Sequence, residues 1–131
     1  MIEVSAAIIF IDKKILCFQR GKGKYDYVSF KYEFPGGKLA ENEDAETALK
    51  REIKEELKIE IEIEKKFKTI FHKYPDFDIK MHCFICRTPK FEGKLYEHID
   101  YKLQKISKLR ELDWIEADIE LVEELMVKYD N

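Results

Sequence analysis

Residues 36–59, GGKLAENEDAETALKREIKEELKI, join a pair of glycines to a helix that is both amphipathic and acidic. The glycines follow Pro35 and allow backbone angles that other residues avoid, so the chain can turn sharply and approach a ligand closely. Asp44 is the expected N-cap, Glu46 suits the positive end of the helix dipole, and the helix is expected to run to about Lys58. The stretch predicts a glycine turn followed by a helix.

The helix carries an unusual arc of carboxylates. At about 100° per residue, leucine and isoleucine form its core face, lysines form its solvent face, and Glu52, Glu55 and Glu56 lie beside the apolar face. Glutamates spaced three and four apart repel each other by about 0.2–0.5 kcal/mol per pair. A divalent cation such as Mg²⁺ would reverse that sign, because it binds oxygen ligands together with waters or substrate phosphates. The spacing alone also fits a charged surface helix, so the surrounding pattern has to decide.

The surrounding pattern is specific. Gly37 is followed by five residues, Glu43, seven residues, and then the run REIKEELKI over residues 51–59. This order closely resembles the Nudix box, G-x5-E-x7-R-E-aliphatic-x-E-E-x-G-aliphatic, and matches every specified position except one. Lys58 stands where the family has a glycine. That glycine ends the helix in a left-handed cap, so the replacement affects the helix exit and no charged position.

Composition limits the class of protein. The chain has 131 residues, of which 45% are hydrophobic, enough for one domain covering residues 1–131 with its own core. A net charge of -3 disfavours binding to a nucleic-acid polymer. No apolar run comes near the ~20 residues that cross a bilayer, and no signal peptide is evident. We expect a cytoplasmic monomer or homodimer that binds a small-molecule nucleotide, with no membrane partner.

The three cysteines are expected to be buried thiols. Cys83 and Cys86 form a C-x-x-C string within MHCFICR, but this segment alternates like a strand. A strand would direct the two sulfurs to opposite faces. We therefore expect neither a disulfide nor a zinc site, and Cys17 completes a set typical of a reducing compartment.

Taken in order, the rest of the chain predicts strands around the acidic helix and a second helix at the end. Residues 3–11 and 15–20 are expected to form a hairpin, residues 21–29 a rim loop, and Ser107 and Asp118 to precede the last helices. The further expected strands are residues 32–34, 59–71, 78–88 and 100–106. The result is an α/β (α+β) fold with a central mixed sheet, and the resemblance implies the Nudix α/β/α sandwich.

The resemblance extends beyond the box to the MutT-like branch, through EFPGGK before the box and Ala117-Asp118 before the last helix. It implies hydrolysis of a nucleoside diphosphate linked to another group, with Mg²⁺ or Mn²⁺ as cofactor. Carried over by position, Arg51 orients the glutamates, and Glu43 resembles a structural charge partner. The implied metal ligands are the Gly37 carbonyl, Glu52, Glu55 and Glu56.

Other site residues follow from the same resemblance. Glu52 is the first candidate for general base, and Glu97, in the loop before the last strand, is the second; Glu97 also fits an exposed loop acid. Arg20 falls where the branch has a phosphate-binding arginine. Lys38 either assists it or is solvated.

A nucleobase pocket needs stacking and edge contacts. Phe34, Tyr74 and Phe77 are candidates for stacking, with core packing as the alternative. Asp76 and Asp118 can accept from base N–H groups, and Asp118 also fits a helix N-cap.

The sequence thus predicts a Mg²⁺-dependent nucleoside triphosphate pyrophosphohydrolase acting on an oxidised purine, such as 8-oxo-dGTP, or on a modified pyrimidine deoxynucleotide. One alternative is a pyrophosphatase for ADP-ribose, nucleoside diphosphate-sugars or RNA 5′ ends. Pro75 lies sixteen residues past the box, near where ADP-ribose hydrolases often have a proline, but its Tyr-Pro-Asp context resembles the MutT-like branch more closely. A second is a non-catalytic nucleotide sensor, which the complete set of glutamates disfavours.

Overall fold

The computed structural model describes residues 1–129, and within them a mixed sheet of seven strands carries one α-helix on each face. The helices are α1 (Ala45–Leu57) and α2 (Glu116–Lys128), and short 3₁₀ helices span Asp26–Val28 and Ile106–Glu111. The strands are β1 (Ile2–Ile11), β2 (Lys14–Gln19), β3 (Tyr32–Glu33), β4 (Gly36–Lys38), β5 (Glu62–Lys73), β6 (Asp78–Arg87) and β7 (Asp100–Lys105). The expected fold class is confirmed.

Strand β1 is the centre of the sheet. It pairs in parallel with β6 from Ile2↔Ile79 to Phe10↔Arg87, and antiparallel with β2 and β4. Because side chains alternate along a strand, β1 contributes to two cores. Ala6 and Ile8 pack in the core on the α2 side, while Ala7 and Ile9 pack in the core beneath α1.

The cysteines follow the same alternation. Cys83 lies in the core on the α2 side and Cys86 in the core beneath α1, so the two thiols lie on opposite faces of β6. Within the described residues all three cysteines are buried and unpaired. The expectation of buried thiols is confirmed.

The predicted glycine turn is wrong. Gly36–Lys38 form a strand that pairs with β1 through Val4↔Lys38, Ser5↔Gly37 and Ala6↔Gly36. A Cβ on Gly36 would lie 1.9 Å from the backbone oxygen of Ser5, so only glycine allows this approach. The glycines therefore serve close strand pairing.

Helix α1 begins as expected, because the Asp44 carboxylate accepts a hydrogen bond from the Thr47 backbone N–H at 2.8 Å. The helix ends at Lys58, whose φ of 56° and ψ of 34° place it in the left-handed region. The chain thus keeps the exit geometry of the box without its glycine. A side chain in this conformation is strained by about 1–2 kcal/mol.

Replacement of Lys58 by glycine is therefore expected to raise the free energy of unfolding by about 0.5–1 kcal/mol, because relief of strain exceeds the entropy that glycine adds to the unfolded chain. Urea denaturation measures the change. Lys54→Gly, at a lysine inside the same helix, is the control and should lower stability by about 1 kcal/mol. Equal losses in both variants would contradict the strain.

Two predicted helix starts are wrong. The 3₁₀ helix of residues 106–111 follows Lys105, and Ser107 does not cap it. Helix α2 follows Ile115, so Asp118 lies inside its first turn instead of capping it. The Ala117 N–H donates to the Tyr74 hydroxyl at 2.9 Å. A distant tyrosine thus satisfies a donor of the first turn, as a side-chain cap would.

Helices α1 and α2 have 13 residues each, and no helix in residues 1–129 is long and apolar enough to span a membrane.

Candidate active site

The pairing of β4 with β1 brings the second glycine against α1. A Cβ on Gly37 would lie 2.4 Å from Cδ of Glu52, so the Glu52 carboxyl group packs directly on the glycine backbone. The next carbonyl, of Lys38, accepts a hydrogen bond from Arg51 at 3.1 Å. The acidic face of α1 therefore packs directly against strand β4.

Arg51 organises the carboxylates at this junction. Its Nε and Nη2 donate to both oxygens of Glu43 at 2.9 Å, while Nη1 donates to Glu52 at 2.8 Å and lies 3.7 Å from Glu55. Hydrogen bonds from Arg51 are the main reason why the pKa of Glu43 falls to about 2. Bidentate contacts of this kind fix geometry as well as charge. The ionised Glu43 thus fixes the Arg51 guanidinium, which in turn holds Glu52 in place.

Glu56 occupies a different environment on the same helix. Its Oε2 is buried and has no hydrogen-bond partner within residues 1–129. Burial, followed by the charges of Glu33, Glu97 and Glu52, raises the pKa of Glu56 to about 9. A buried carboxyl oxygen without a partner is costly, and a cation at this position would supply the missing interaction.

The donor set suits a hard divalent cation. Glu52, Glu55 and Glu56 lie on one arc of α1 beside the Gly37 backbone, and all of their donor atoms are oxygens, as Mg²⁺ prefers. Within the described residues no three acidic, histidine or cysteine side chains already converge on one point.

Two residues that the sequence did not indicate, Glu33 and His98, form a polar chain with Arg20 near Glu56. Glu33 accepts from Nη1 of Arg20 at 3.1 Å, and its other oxygen lies 2.9 Å from Nε2 of His98. Arg20 Nε is buried and has no partner in the described part of the chain. Glu33 is the first residue of the EFPGGK segment, and His98 directly follows Glu97. Their position beside predicted site residues was the only sequence feature that could have indicated them.

A cleft of about 550 Å³ connects these groups with an apolar pocket. Glu56, Gly37 and Lys38 line one part, and Asp118 and Phe34 line another. A second cleft of about 510 Å³ lies beside Phe10 and Arg87, and its described lining includes none of the predicted site residues. The first cleft is therefore the candidate active site.

The predicted stacking residues are placed differently from one another. Phe34 is buried, with its ring centroid 4.6 Å from that of Trp114, and Tyr74 is buried beneath Ala117. Both form walls of the cleft as part of the core. Phe77 is only partly buried and lies 5.0 Å from Tyr74, so its ring is the most accessible of the three.

Asp76 is engaged by a residue that sequence reasoning missed. Its Oδ2 accepts a hydrogen bond from the Tyr27 hydroxyl at 2.7 Å. Tyr25 stacks on Tyr27 with centroids 5.2 Å apart, which extends the aromatic wall at the mouth of the cleft. Tyrosines in a glycine-containing polar loop gave no periodic signal, so the sequence indicated only a rim.

Asp118 lies deep in the cleft and is only 3% exposed. Its Oδ2 accepts from the Phe34 backbone N–H at 2.9 Å, which ends β3 at Glu33 instead of Phe34. Burial raises the pKa of Asp118 to about 8 against the opposing effect of that hydrogen bond. Near neutral pH the carboxyl group is therefore mostly protonated and can donate as well as accept.

This pKa gives stability a pH dependence of known sign. The unfolded pKa of an aspartate is about 3.9, so the folded state binds the proton more tightly, and stability falls as pH rises from about 4 to about 8. Asp118→Asn removes the titration and keeps an acceptor for Phe34. We expect its free energy of unfolding to exceed that of wild type by an amount that grows over this range to a few kcal/mol, since one pKa unit is about 1.4 kcal/mol.

Urea denaturation at several pH values measures the difference. Asp113→Asn, at an exposed aspartate, is the control and should follow the wild-type profile. If the free energies of unfolding of Asp118→Asn and wild type differ by the same amount at every pH from 4 to 9, this result would contradict the raised pKa of Asp118.

The mixed sheet, the helix on each face and the acidic arc packed against a glycine strand define a Nudix-type α/β/α sandwich. The NUDIX domain model matches residues 1–125, and the chain belongs to this family. It is a Nudix hydrolase of the MutT-like branch. Nudix hydrolases in general use divalent metal ions.

Three relatives support the branch. The chain is 33% identical over 106 residues to an 8-oxo-dGTP diphosphatase of Buchnera aphidicola subsp. Acyrthosiphon pisum, covering 79% of this chain and 81% of that protein. It is 36% identical to the solution structure of MutT from methicillin-resistant Staphylococcus aureus 252, with a TM-score of 0.75 and coverage of 97% and 96%. The E. coli ORF135 protein is 32% identical, with a TM-score of 0.81 and coverage of 99% and 91%.

Proposed function

We propose that this chain is a Mg²⁺-dependent pyrophosphohydrolase that converts a nucleoside triphosphate into the monophosphate and pyrophosphate. The proposed substrates are oxidised purine nucleotides such as 8-oxo-dGTP, in line with the relatives named 8-oxo-dGTP diphosphatase, or modified pyrimidine deoxynucleotides. One observation carries the proposal. Glu56, with its unpartnered oxygen, and the buried Asp118 line the same cleft, which supports one site for both the phosphates and the base of a nucleotide.

The metal-binding role belongs to the acidic arc in this proposal. Glu52, Glu55, Glu56 and the Gly37 carbonyl would hold the cation, with Mn²⁺ as a possible substitute. When bound, the cation would neutralise phosphate oxygens and lower the pKa of a water molecule. Arg51 keeps Glu52 against Gly37, so part of the ligand set is positioned before substrate binds.

The phosphate groups of the substrate need cations from the protein as well. Arg20 lines the cleft, and its buried Nε lacks a partner in the described residues, so it has a donor to offer a phosphate oxygen. Lys38 is exposed at the rim of the same cleft and adds a mobile positive charge. A charge-assisted hydrogen bond from Arg20 would contribute about 1.5–3 kcal/mol.

Two glutamates are candidates for the general base. Glu52 is hydrogen bonded to Arg51 and packed on Gly37, which suits a fixed ligand. Glu97 is exposed in the loop before β7 and close enough to Glu56 to raise its pKa. We assign proton transfer from water to Glu97, because its carboxyl group is solvent exposed, whereas that of Glu52 is already engaged by Arg51.

Asp118 is the proposed reader of the base. Its mostly protonated carboxyl group can donate to a base carbonyl and accept from a base N–H, whereas an ionised carboxylate could only accept. Phe34 and Tyr74 form the flat walls of the pocket beside it. Such a group rejects a base that lacks the matching polar edge, because a buried polar group is then left unpaired.

A panel of nucleotides tests the function. Release of pyrophosphate is measured with 8-oxo-dGTP, dGTP, a modified dCTP and a 5′-triphosphorylated RNA. Release of the nucleoside monophosphate is measured with ADP-ribose and a nucleoside diphosphate-sugar, which contain no triphosphate. We expect the highest kcat/KM for a deoxynucleoside triphosphate with an altered base. Preferential hydrolysis of ADP-ribose, the sugar nucleotide or RNA would instead support the alternative pyrophosphatase, and tight binding without turnover would support a sensor.

A further inference from the structure

We propose that Glu97 is held beside Glu56 by two contacts, one on each side of it in the chain. His98 contacts Glu33 on one side, and Tyr96 contacts Lys58 on the other. Tyr96, His98 and Lys58 are then positioning residues that act through Glu97. The proposal rests on the function proposed above, since it concerns the group that receives the proton.

The His98 contact is made by a buried side chain. The His98 side chain is 5% exposed, and its Nε2 lies 2.9 Å from Glu33 Oε2. Its ring centroid lies 5.1 Å from that of Phe18 in the core beneath α1. The next backbone N–H, of Ile99, donates to the Gln19 carbonyl at 3.0 Å. The chain is therefore fixed immediately after Glu97.

The Tyr96 contact joins the same loop to the end of α1. Lys58 Nζ lies 5.3 Å from the centroid of the Tyr96 ring, within the range of a cation–π interaction. Lys58 follows Glu56 by two residues and is the residue that replaces the glycine of the box. A glycine there would satisfy the backbone and leave Tyr96 without this partner. The departure from the box thus connects the metal-binding helix to the loop of Glu97.

The two contacts explain how an exposed loop residue can have a defined position. Glu97 is solvent exposed, yet its two neighbours in the chain contact Lys58 at the end of α1 and Glu33 in the cleft. An unrestrained side chain would sample many orientations. A displacement of about 1 Å of a catalytic group can reduce turnover by about 10²-fold. Fixing the neighbours on both sides limits such displacements.

Kinetics of variants test the coupling with 8-oxo-dGTP and Mg²⁺. His98→Phe keeps a ring on Phe18 and removes the contact with Glu33, and should lower kcat by about 10–100-fold with little change in KM. His98→Gln, which can still donate to Glu33, should restore a large part of the loss. Lys58→Met should lower kcat by about 3–10-fold, whereas Lys94→Met, at an exposed lysine of the same loop, should leave it unchanged.

A double-mutant cycle separates positioning from general stability. If His98 and Lys58 act through Glu97, their substitution in a Glu97→Gln background should cause no further loss. Loss of the same size in both backgrounds would overturn the proposal. So would full activity of Glu97→Gln in an enzyme that hydrolyses 8-oxo-dGTP, although the proposed function would then stand.

Amide hydrogen exchange gives a readout that does not depend on turnover. In the metal-free protein, His98→Phe should accelerate exchange at residues 96–99, including the Ile99 amide, and Lys94→Met should not. Unchanged exchange in His98→Phe would overturn the proposal. Because this measurement needs no substrate, it tests the contacts separately from the activity.

Discussion

Glu56→Gln is expected to lower kcat by about 10²–10³-fold while leaving the protein folded. Loss of one preorganised electrostatic contact to a transition state has an effect of this size. The proposed metal site loses a charged ligand, whereas the core loses nothing, because glutamine has the same shape. The pKa of Glu56 is raised to about 9 by burial and by neighbouring carboxylates, so the charged form is disfavoured in the folded state. The free energy of unfolding of Glu56→Gln above pH 7 should therefore not be lower than that of wild type.

Steady-state kinetics at saturating Mg²⁺ and thermal denaturation together check this prediction. Glu46→Gln, at an exposed glutamate in the first turn of α1, is the matched control and should retain wild-type kcat. Undiminished Mg²⁺-dependent turnover in Glu56→Gln would show that the acidic arc does not hold the catalytic metal.

Gly37→Ala is expected to reduce kcat by about 10²-fold with only a small loss of stability. The new methyl group would lie 2.4 Å from Cδ of Glu52, and the end of a side chain can move aside. Moving it breaks the approach of the carboxylate to the β4 backbone and the hydrogen bond from Arg51. A displacement of about 1 Å of a positioned group is enough for this loss.

Gly36→Ala is the matched comparison and should have the opposite profile. Its methyl group would meet the Ser5 backbone oxygen at 1.9 Å, and a paired backbone cannot move without separating β4 from β1. We expect a large loss in the urea midpoint. Equal stability of the two variants would contradict the close packing of these strands.

Much of helix α1 could be predicted from sequence because its determinants are local. The Asp44 cap, the buried Leu49 and Ile53, and the exposed Lys50 follow from spacing alone. The alternation that separates Cys83 from Cys86 is local as well. Local patterns of this kind hold because the period of each element fixes which side chains share a face.

The rest depended on contacts between distant segments. Gly36 and Gly37 suggested a turn because a strand at that point depends on pairing with β1, about thirty residues earlier. Asp118 has the composition of a cap, but its carboxylate bonds to Phe34, 84 residues away in sequence. Tertiary hydrogen bonds override local preference at such positions, and no periodic pattern announces them.

The proposed roles of the site residues also depend on contacts between distant segments. The structure brings Arg20, Glu56 and Asp118 to one cleft from β2, α1 and α2 regions that the sequence keeps apart. Glu33 and His98 join them through a chain of hydrogen bonds that has no sequence motif. The sequence could identify side chains able to take part in binding or catalysis. It could not identify the residues that they contact in the fold.

Analysis of the products of 8-oxo-dGTP hydrolysis tests the proposed function most directly. The reaction is followed by ³¹P NMR with wild-type protein in Mg²⁺, with wild-type protein in excess EDTA, and with Glu56→Gln in Mg²⁺. We expect pyrophosphate and the nucleoside monophosphate to appear in equal amounts with wild-type protein in Mg²⁺. Neither product should appear in EDTA, and both should form at most slowly with Glu56→Gln. Release of inorganic phosphate with a nucleoside diphosphate, or equal turnover in EDTA, would contradict the proposal.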